Sequence, residues 1–200
     1  MSGFSDTERE RVREDLLSAG RELFARHGLA KTTVAELTDR AGIADGTFYR
    51  FFDSKTALYV AVLEREGERV LPRILAPLSE RDDPEAALVG FLTELMDEIE
   101  TNPLIRPLMV DSDELDRLRD HHSPAEAEQN RQESVAYFLP HVREWYEAGA
   151  IRGPDPETVA HAIRAVSMLS LHQEDVGEER YRETRDVVIR AVARGLTATE

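Results

Sequence analysis

Thr33-Val34-Ala35-Glu36-Leu37-Thr38-Asp39-Arg40-Ala41-Gly42-Ile43-Ala44-Asp45-Gly46-Thr47-Phe48-Tyr49-Arg50-Phe51-Phe52 reads as two short helices meeting at a corner. Thr33 and Glu36 have the spacing of a capping box, in which the threonine hydroxyl accepts from the Glu36 amide and the carboxylate reaches back to the Thr33 amide. A helix therefore starts at Val34, with Val34, Leu37 and Ala41 on one face, and stops at Gly42. Only Gly42, Ile43 and Ala44 separate it from a second helical segment, Asp45 to Phe51 or Phe52, so the two must cross steeply. Helix, tight glycine-containing turn and helix is the geometry with which a second helix enters the major groove of DNA. Asp45, Gly46 and Thr47 put small or polar groups in that helix's first turn, where a base edge can approach; Tyr49 and Arg50 follow, where phosphates would lie. Phe48 and Phe52 are read as core residues of the small domain.

Working outward, Val12, Leu16, Leu17, Leu23 and Phe24 recur near a period of 3.6 between Thr7 and His27, and Gly28 supplies a left-handed stop. Asp53 and Ser54 are read as capping a longer helix that carries Leu58, Val62 and Leu63. Pro72 and Pro77 predict a kink or linker after it. Asp83-Pro84-Glu85 opens an amphipathic helix that Asn102-Pro103 closes, and a short piece around Leu104 to Val110 follows. Ser123-Pro124-Ala125-Glu126 is a second capping box, predicting a long helix to Ala148 kinked by Pro140. Two helices close the chain, from Pro156 to about His172 and from about Glu178 to Leu196. The fold class is all-α with about nine helices: a three-helix DNA-binding domain over 1–53, a connecting helix over 54–71, and a larger ligand-binding and dimerisation domain over 72–200.

From Leu16 to Leu63 the chain resembles the tetracycline-repressor (TetR) type of bacterial and archaeal transcriptional regulators. The resemblance rests on Leu23-Phe24 with His27-Gly28, Thr32-Thr33-Val34 with Glu36-Leu37, Ala41-Gly42-Ile43, Gly46-Thr47-Phe48-Tyr49 with Phe52, and Ser54-Lys55 with Leu58. It implies that Thr33, Tyr49 and Lys55 meet backbone phosphates while Gly46 and Thr47 approach base edges, and helix N-termini do offer free N–H groups to anions. Two positions depart from the family's habit: Ala44 stands where a serine or threonine commonly caps the helix, and Phe51 where a histidine or tyrosine commonly meets phosphate. With Asp45 and Arg50 they complete the candidate DNA-binding set, Phe51 being a candidate for a thymine methyl or sugar edge. The resemblance also implies a homodimer through the last two helices, for which Val159, Ile163, Val166, Val188, Ala191 and Val192 are candidates. It implies further a small apolar or amphipathic inducer held among the middle helices, with Phe91, Leu95, Met109, Phe138, Trp145 and Met168 as candidate lining and Arg106 as a candidate for an anionic head group.

The 25 basic and 40 acidic residues give a net charge of −15 over 200 residues, but the imbalance is uneven. Residues 1–70 hold 11 Lys and Arg against 13 Asp and Glu, a net of −2, and 71–200 hold 14 against 27, a net of −13. The acidity thus sits away from the helix–turn–helix. Arginine outnumbers lysine 23 to 2, a composition that suits a high-salt cytoplasm and equally a GC-rich genome. The absence of cysteine excludes disulfides, thiolate nucleophiles and cysteine-held metals. No metal or cofactor site is expected, since Asp111, Asp113, Glu114, Asp116, Asp120, His121 and His122 read as a solvated acidic face. No His-Glu-x-x-His, Gly-x-x-x-x-Gly-Lys or Gly-x-Ser-x-Gly motif is present, so no enzyme is expected. With neither a leader nor a membrane span legible, the chain is expected in the cytoplasm. The function expected is a ligand-responsive DNA-binding regulator, a repressor released from double-stranded operator DNA by its inducer; the alternative is a helical small-molecule-binding module without sequence-specific DNA binding.

Overall fold

The computed structural model describes residues 5–110 and 132–197, and among these every regular element is helical. The elements are α1 (Asp6–Lys31), α2 (Val34–Ala41), α3 (Asp45–Phe48), α4 (Lys55–Glu80), α5 (Pro84–Thr101), α6 (Arg106–Val110), α7 (Leu139–Glu147), α8 (Pro156–Ser167), a 3-10 turn Met168–His172, α9 (Gln173–Val176) and α10 (Glu178–Thr197). A further helical stretch covers 132–136. The acidic run from Asp111 to His122, the capping box at Ser123 and the first turns expected after it lie outside the described residues. No described helix is long and apolar enough to cross a membrane.

The chain divides into two compact units, the first from 5–69 with 102–110 and the second from 70–101 with 132–197. In the first unit the apolar stripe of α1 meets α2, α3 and the first half of α4 around Val12, Leu16, Phe24, Leu37, Phe48, Leu58 and Tyr59, all buried. Gly20 sits at the crossing with α4: a Cβ there would stand 3.0 Å from Val62 Cγ2 and 3.2 Å from Phe24 Cε2. Gly28, at φ 73°, breaks α1 one turn before its end, as the glycine after His27 predicts. The segment after α5 returns to this unit, burying Leu104 and aligning the Tyr59 hydroxyl with the Leu104 carbonyl at 3.4 Å.

Beneath α1 and α4 lies a buried carboxylate, Glu66. It accepts from Arg21 Nε at 2.8 Å, Arg69 at 2.6 Å and the Asn102 side-chain amide at 2.7 Å. Burial pushes its pKa up, and the hydrogen bonds from Arg69, Arg21 and Asn102 more than reverse this, leaving it at about 2.

In the second unit α5, α7, α8, α10 and the last turns of α4 enclose Leu88, Phe91, Leu92, Met96, Val142, Ile163 and Ile189. Gly90 permits a close approach, since a Cβ there would fall 2.8 Å from Cβ of Pro77. Pro72 and Pro77 sit within α4 rather than ending it, because the packed helix holds them in place against their local cost. Pro140, expected as a kink, instead stands in the first turn of α7, where a residue lacking an N–H forfeits no bond; the break falls at 137–138. The helix expected over Pro156–His172 loses α geometry after Ser167, and Gly177 at φ 90° separates α9 from α10. Buried Arg185 of α10 clasps α5, donating to Asp97 at 2.6 Å and Glu100 at 2.9 Å, while the Tyr181 hydroxyl donates to Glu100 at 2.8 Å.

Candidate nucleic-acid interface

The corner forms from local chemistry. Glu36 accepts from the Thr33 amide and hydroxyl, both at 2.8 Å, and its own amide donates to the Thr33 hydroxyl at 3.2 Å. The side-chain and backbone bonds from Thr33 hold the Glu36 carboxyl below the usual carboxylate range. Gly42, at φ 69° and ψ 32°, ends α2 in the left-handed region that glycine adopts without strain. α3 follows without a side-chain cap at Ala44, and its four-residue α geometry is continued by tighter turns, Arg50 N–H to Thr47 O at 3.1 Å and Phe51 N–H to Phe48 O at 2.9 Å. The helix is thus shorter than expected: it covers Asp45–Phe48, and turns over 49–51 carry the chain on to Phe52.

A side-chain tie from α2 reaches the first residue of α3 instead. Thr38 is fully buried, and its hydroxyl lies 3.0 Å from Val34 O and donates to the Asp45 carboxylate, tying the corner together. Thr38→Val keeps the shape and removes this tie. It is expected to lower stability by about 1.5–3 kcal/mol, the usual size for a hydrogen bond to a charged partner, read as a shifted urea midpoint.

Exposure sorts the candidate residues. Thr33, Ala44, Asp45, Gly46, Tyr49 and Arg50 are exposed, Thr47 and Lys55 half-buried, and Tyr49 is 62% exposed with its ring edge-on to Phe48 at 5.3 Å. Gly46 is open: a Cβ built on it meets nothing within 4 Å. Two of the candidates also have partners within the unit. The Lys55 ammonium donates to the Thr32 carbonyl at 2.5 Å, closing the end of α1. Phe51 is half-buried, with the Arg9 guanidinium over its ring at 5.7 Å, so its face is covered from within the unit. The neighbouring Phe52 is covered likewise by Arg13 at 5.4 Å. Sequence reasoning did not single out Arg9 and Arg13; the available signal was their four-residue spacing on α1, which puts both on one side of the helix.

The remaining candidates divide. Phe91, Leu95, Phe138 and Trp145 come together in the core of the second unit, with Phe91 and Phe138 rings 5.0 Å apart. Met168 is exposed, Arg106 is exposed and belongs to the first unit, and the Met109 side chain lies outside the described residues. On α8, Val159, Ile163 and Val166 are all buried in the chain's own core, so they do not form a free face. Val188 and Val192 are half-buried against that core and Ala191 is exposed; the outward side of these helices carries Ala162, Ala165, Val187 and Ala191, and Met168 and Leu171 follow α8.

Comparison with known proteins places this geometry. Residues 16–62 match the family described as bacterial regulatory proteins, tetR family. The chain is 36% identical over 70 residues to the HTH-type transcriptional regulator YvdT of Bacillus subtilis, covering 35% of this chain and 36% of that protein. It is 32% identical over 92 residues to the HTH-type transcriptional activator FasR of Mycolicibacterium smegmatis, covering 46% and 42%. Each match spans less than half of the relative's own length. Across the whole fold, a tetR-family transcriptional regulator from Pectobacterium atrosepticum superposes with a TM-score of 0.74 at 21% identity, covering 98% of both chains. RolR, solved with resorcinol, gives 0.64 at 20% identity, covering 98% of this chain and 92% of its own.

Proposed function

We propose, from the premise that residues 16–62 are a tetR-family segment on a chain with that family's fold, that the protein is a ligand-responsive transcriptional regulator that binds operator DNA through α3. The observation that carries the reading is Gly46. It occupies the first turn of α3 with no positive φ and, among the described residues, no neighbour within 4 Å of its missing Cβ, so neither backbone strain nor close packing among them calls for glycine there. Glycine in a helix costs roughly 0.5–1 kcal/mol relative to alanine. A surface that receives another molecule at backbone distance gives that cost a purpose, and a base edge in the major groove fits the neighbouring Asp45, Thr47 and Tyr49.

Gly46→Ala is therefore expected to raise the unfolding free energy slightly and to weaken operator binding by about 1–3 kcal/mol, the size of a lost base contact. The measurement is affinity for a duplex enriched by the unaltered protein from a randomised pool, beside a thermal melt. An unchanged affinity in the more stable variant would remove α3 from the DNA. The same reading includes a homodimer, because two recognition segments must sit about 34 Å apart to reach successive major-groove faces. Its supporting surface is the outward side of α8 and α10, with Ala162, Ala165, Val187 and Ala191. An apolar or amphipathic inducer held in the second unit would favour a state whose spacing mismatches the groove and so release the protein from its operator, the behaviour of a repressor; by linkage, DNA weakens inducer binding by the same factor.

A further inference from the structure

We propose that Arg9 of α1, held over the ring of Phe51, is a backbone-phosphate contact of the same DNA interface, with Phe51 as the platform that orients it. This rests on the reading that α3 enters the groove. Seven arginines of the first unit show two kinds of contact. Arg11, Arg21, Arg40, Arg65 and Arg69 each form an ion pair with a carboxylate, respectively Asp15, Glu66, Glu22, Glu14 and Glu66. Arg9 and Arg13 have no carboxylate at ion-pair distance among the described residues. Both lie instead on aromatic rings, and those rings, Phe51 and Phe52, directly follow exposed Tyr49 and Arg50.

The ring contact leaves this cation ready for an anion. A guanidinium held over an aromatic face at 5.7 Å is attracted by the ring without giving its N–H donors to a carboxylate, and a phosphate can accept two of them at once. Holding the side chain on Phe51 also removes rotamer freedom that a free arginine would lose on binding. Asp6 and Glu10 share that side of α1 by helical spacing and bring its charge near neutral, so the contact acts at short range rather than through a broad basic field. Arg13, one turn further on, is placed to reinforce it.

The test uses the full chain and the duplex it enriches from a randomised pool, with dissociation constants measured over a series of KCl concentrations. Arg9→Ala is expected to weaken binding about tenfold and to reduce the salt slope by about 0.9, the value of one phosphate. Arg9→Lys should keep most of the slope while losing affinity, because an ammonium lacks the forked N–H pair that meets a phosphate at two points. Phe51→Leu, which changes no charge, should lose affinity, and adding Arg9→Ala to it should cost less than it does alone. Arg9 is exposed, so its variants should melt with the unaltered protein. If the unaltered chain binds and Arg9→Ala changes neither affinity nor slope, the contact is wrong; if the Arg9 and Phe51 losses simply add, the platform role is wrong. Failure of the unaltered chain to enrich any duplex overturns the DNA-binding reading itself, and this contact with it.

Discussion

Phe48→Ala is expected to unfold the first unit under conditions where the second stays folded. Phe48 is fully buried, its ring set edge-on to Tyr49 and tilted at 37° against Phe52, and its carbonyl accepts from both Phe51 and Phe52. Truncating a buried phenylalanine costs about 3–5 kcal/mol through lost burial and the cavity left behind. A unit of this size has only a few kcal/mol in hand, at roughly 0.05–0.15 kcal/mol per residue. The second half of the recognition segment hangs on Phe48's backbone, so its tighter turns should go with the core. Trp145 is the only tryptophan and lies in the second unit, so its emission follows that unit while far-UV dichroism follows both. The expected result is an early dichroism transition in urea with no matching change in emission. A midpoint within experimental scatter of the unaltered protein would mean that Phe48 does not hold the corner.

The second large effect is at Glu66. Its carboxyl titrates at about 2 in the folded chain against an ordinary 4.5, so the folded state holds the ionised form more tightly than the unfolded state does. A lowered folded pKa contributes stability that is fully present above pH ~4.5 and is lost as pH falls toward ~2; at 1.36 kcal/mol per unit the contribution is about 3 kcal/mol at pH 6 and about 1 kcal/mol at pH 3. Glu66→Gln should therefore destabilise most near neutrality, with its penalty shrinking by about 2 kcal/mol on going to pH 3. Urea unfolding of both proteins at the two pH values measures this. A penalty that stays constant or grows on acidification would show that the arginines do not hold the carboxylate as described.

Much of the corner was legible because its determinants are local. The Thr33–Glu36 box, Gly42 and the apolar spacing of Leu37 and Phe48 act over a few residues, and each appears as read. What was illegible depended on partners distant in sequence. Glu66 sits in the charged run Glu64-Arg65-Glu66-Gly67-Glu68-Arg69 and looks solvated, yet Arg21 and Asn102 bury it. Lys55 has the right residue type for a phosphate, and its second contact, with carbonyls at the end of α1, is set by residues more than twenty positions away. Periodicity revealed the apolar stripe of Val159, Ile163 and Val166 without saying whether that stripe meets its own chain or a second copy; burial assigns it to its own chain. Pro140 and the 3-10 turn at Met168 show the same limit, since a proline marks a boundary without telling whether the helix bends, ends or begins there.

The return of Asn102 and Leu104 to the first unit bears on how such proteins can be recombined. A fragment ending at Arg69 carries every residue of the corner but leaves Glu66 without its amide and the Leu104 slot open. A chimera that swaps second units at a single crossover would inherit that defect. One that also transplants 102–110 would not, so the workable graft needs two seams.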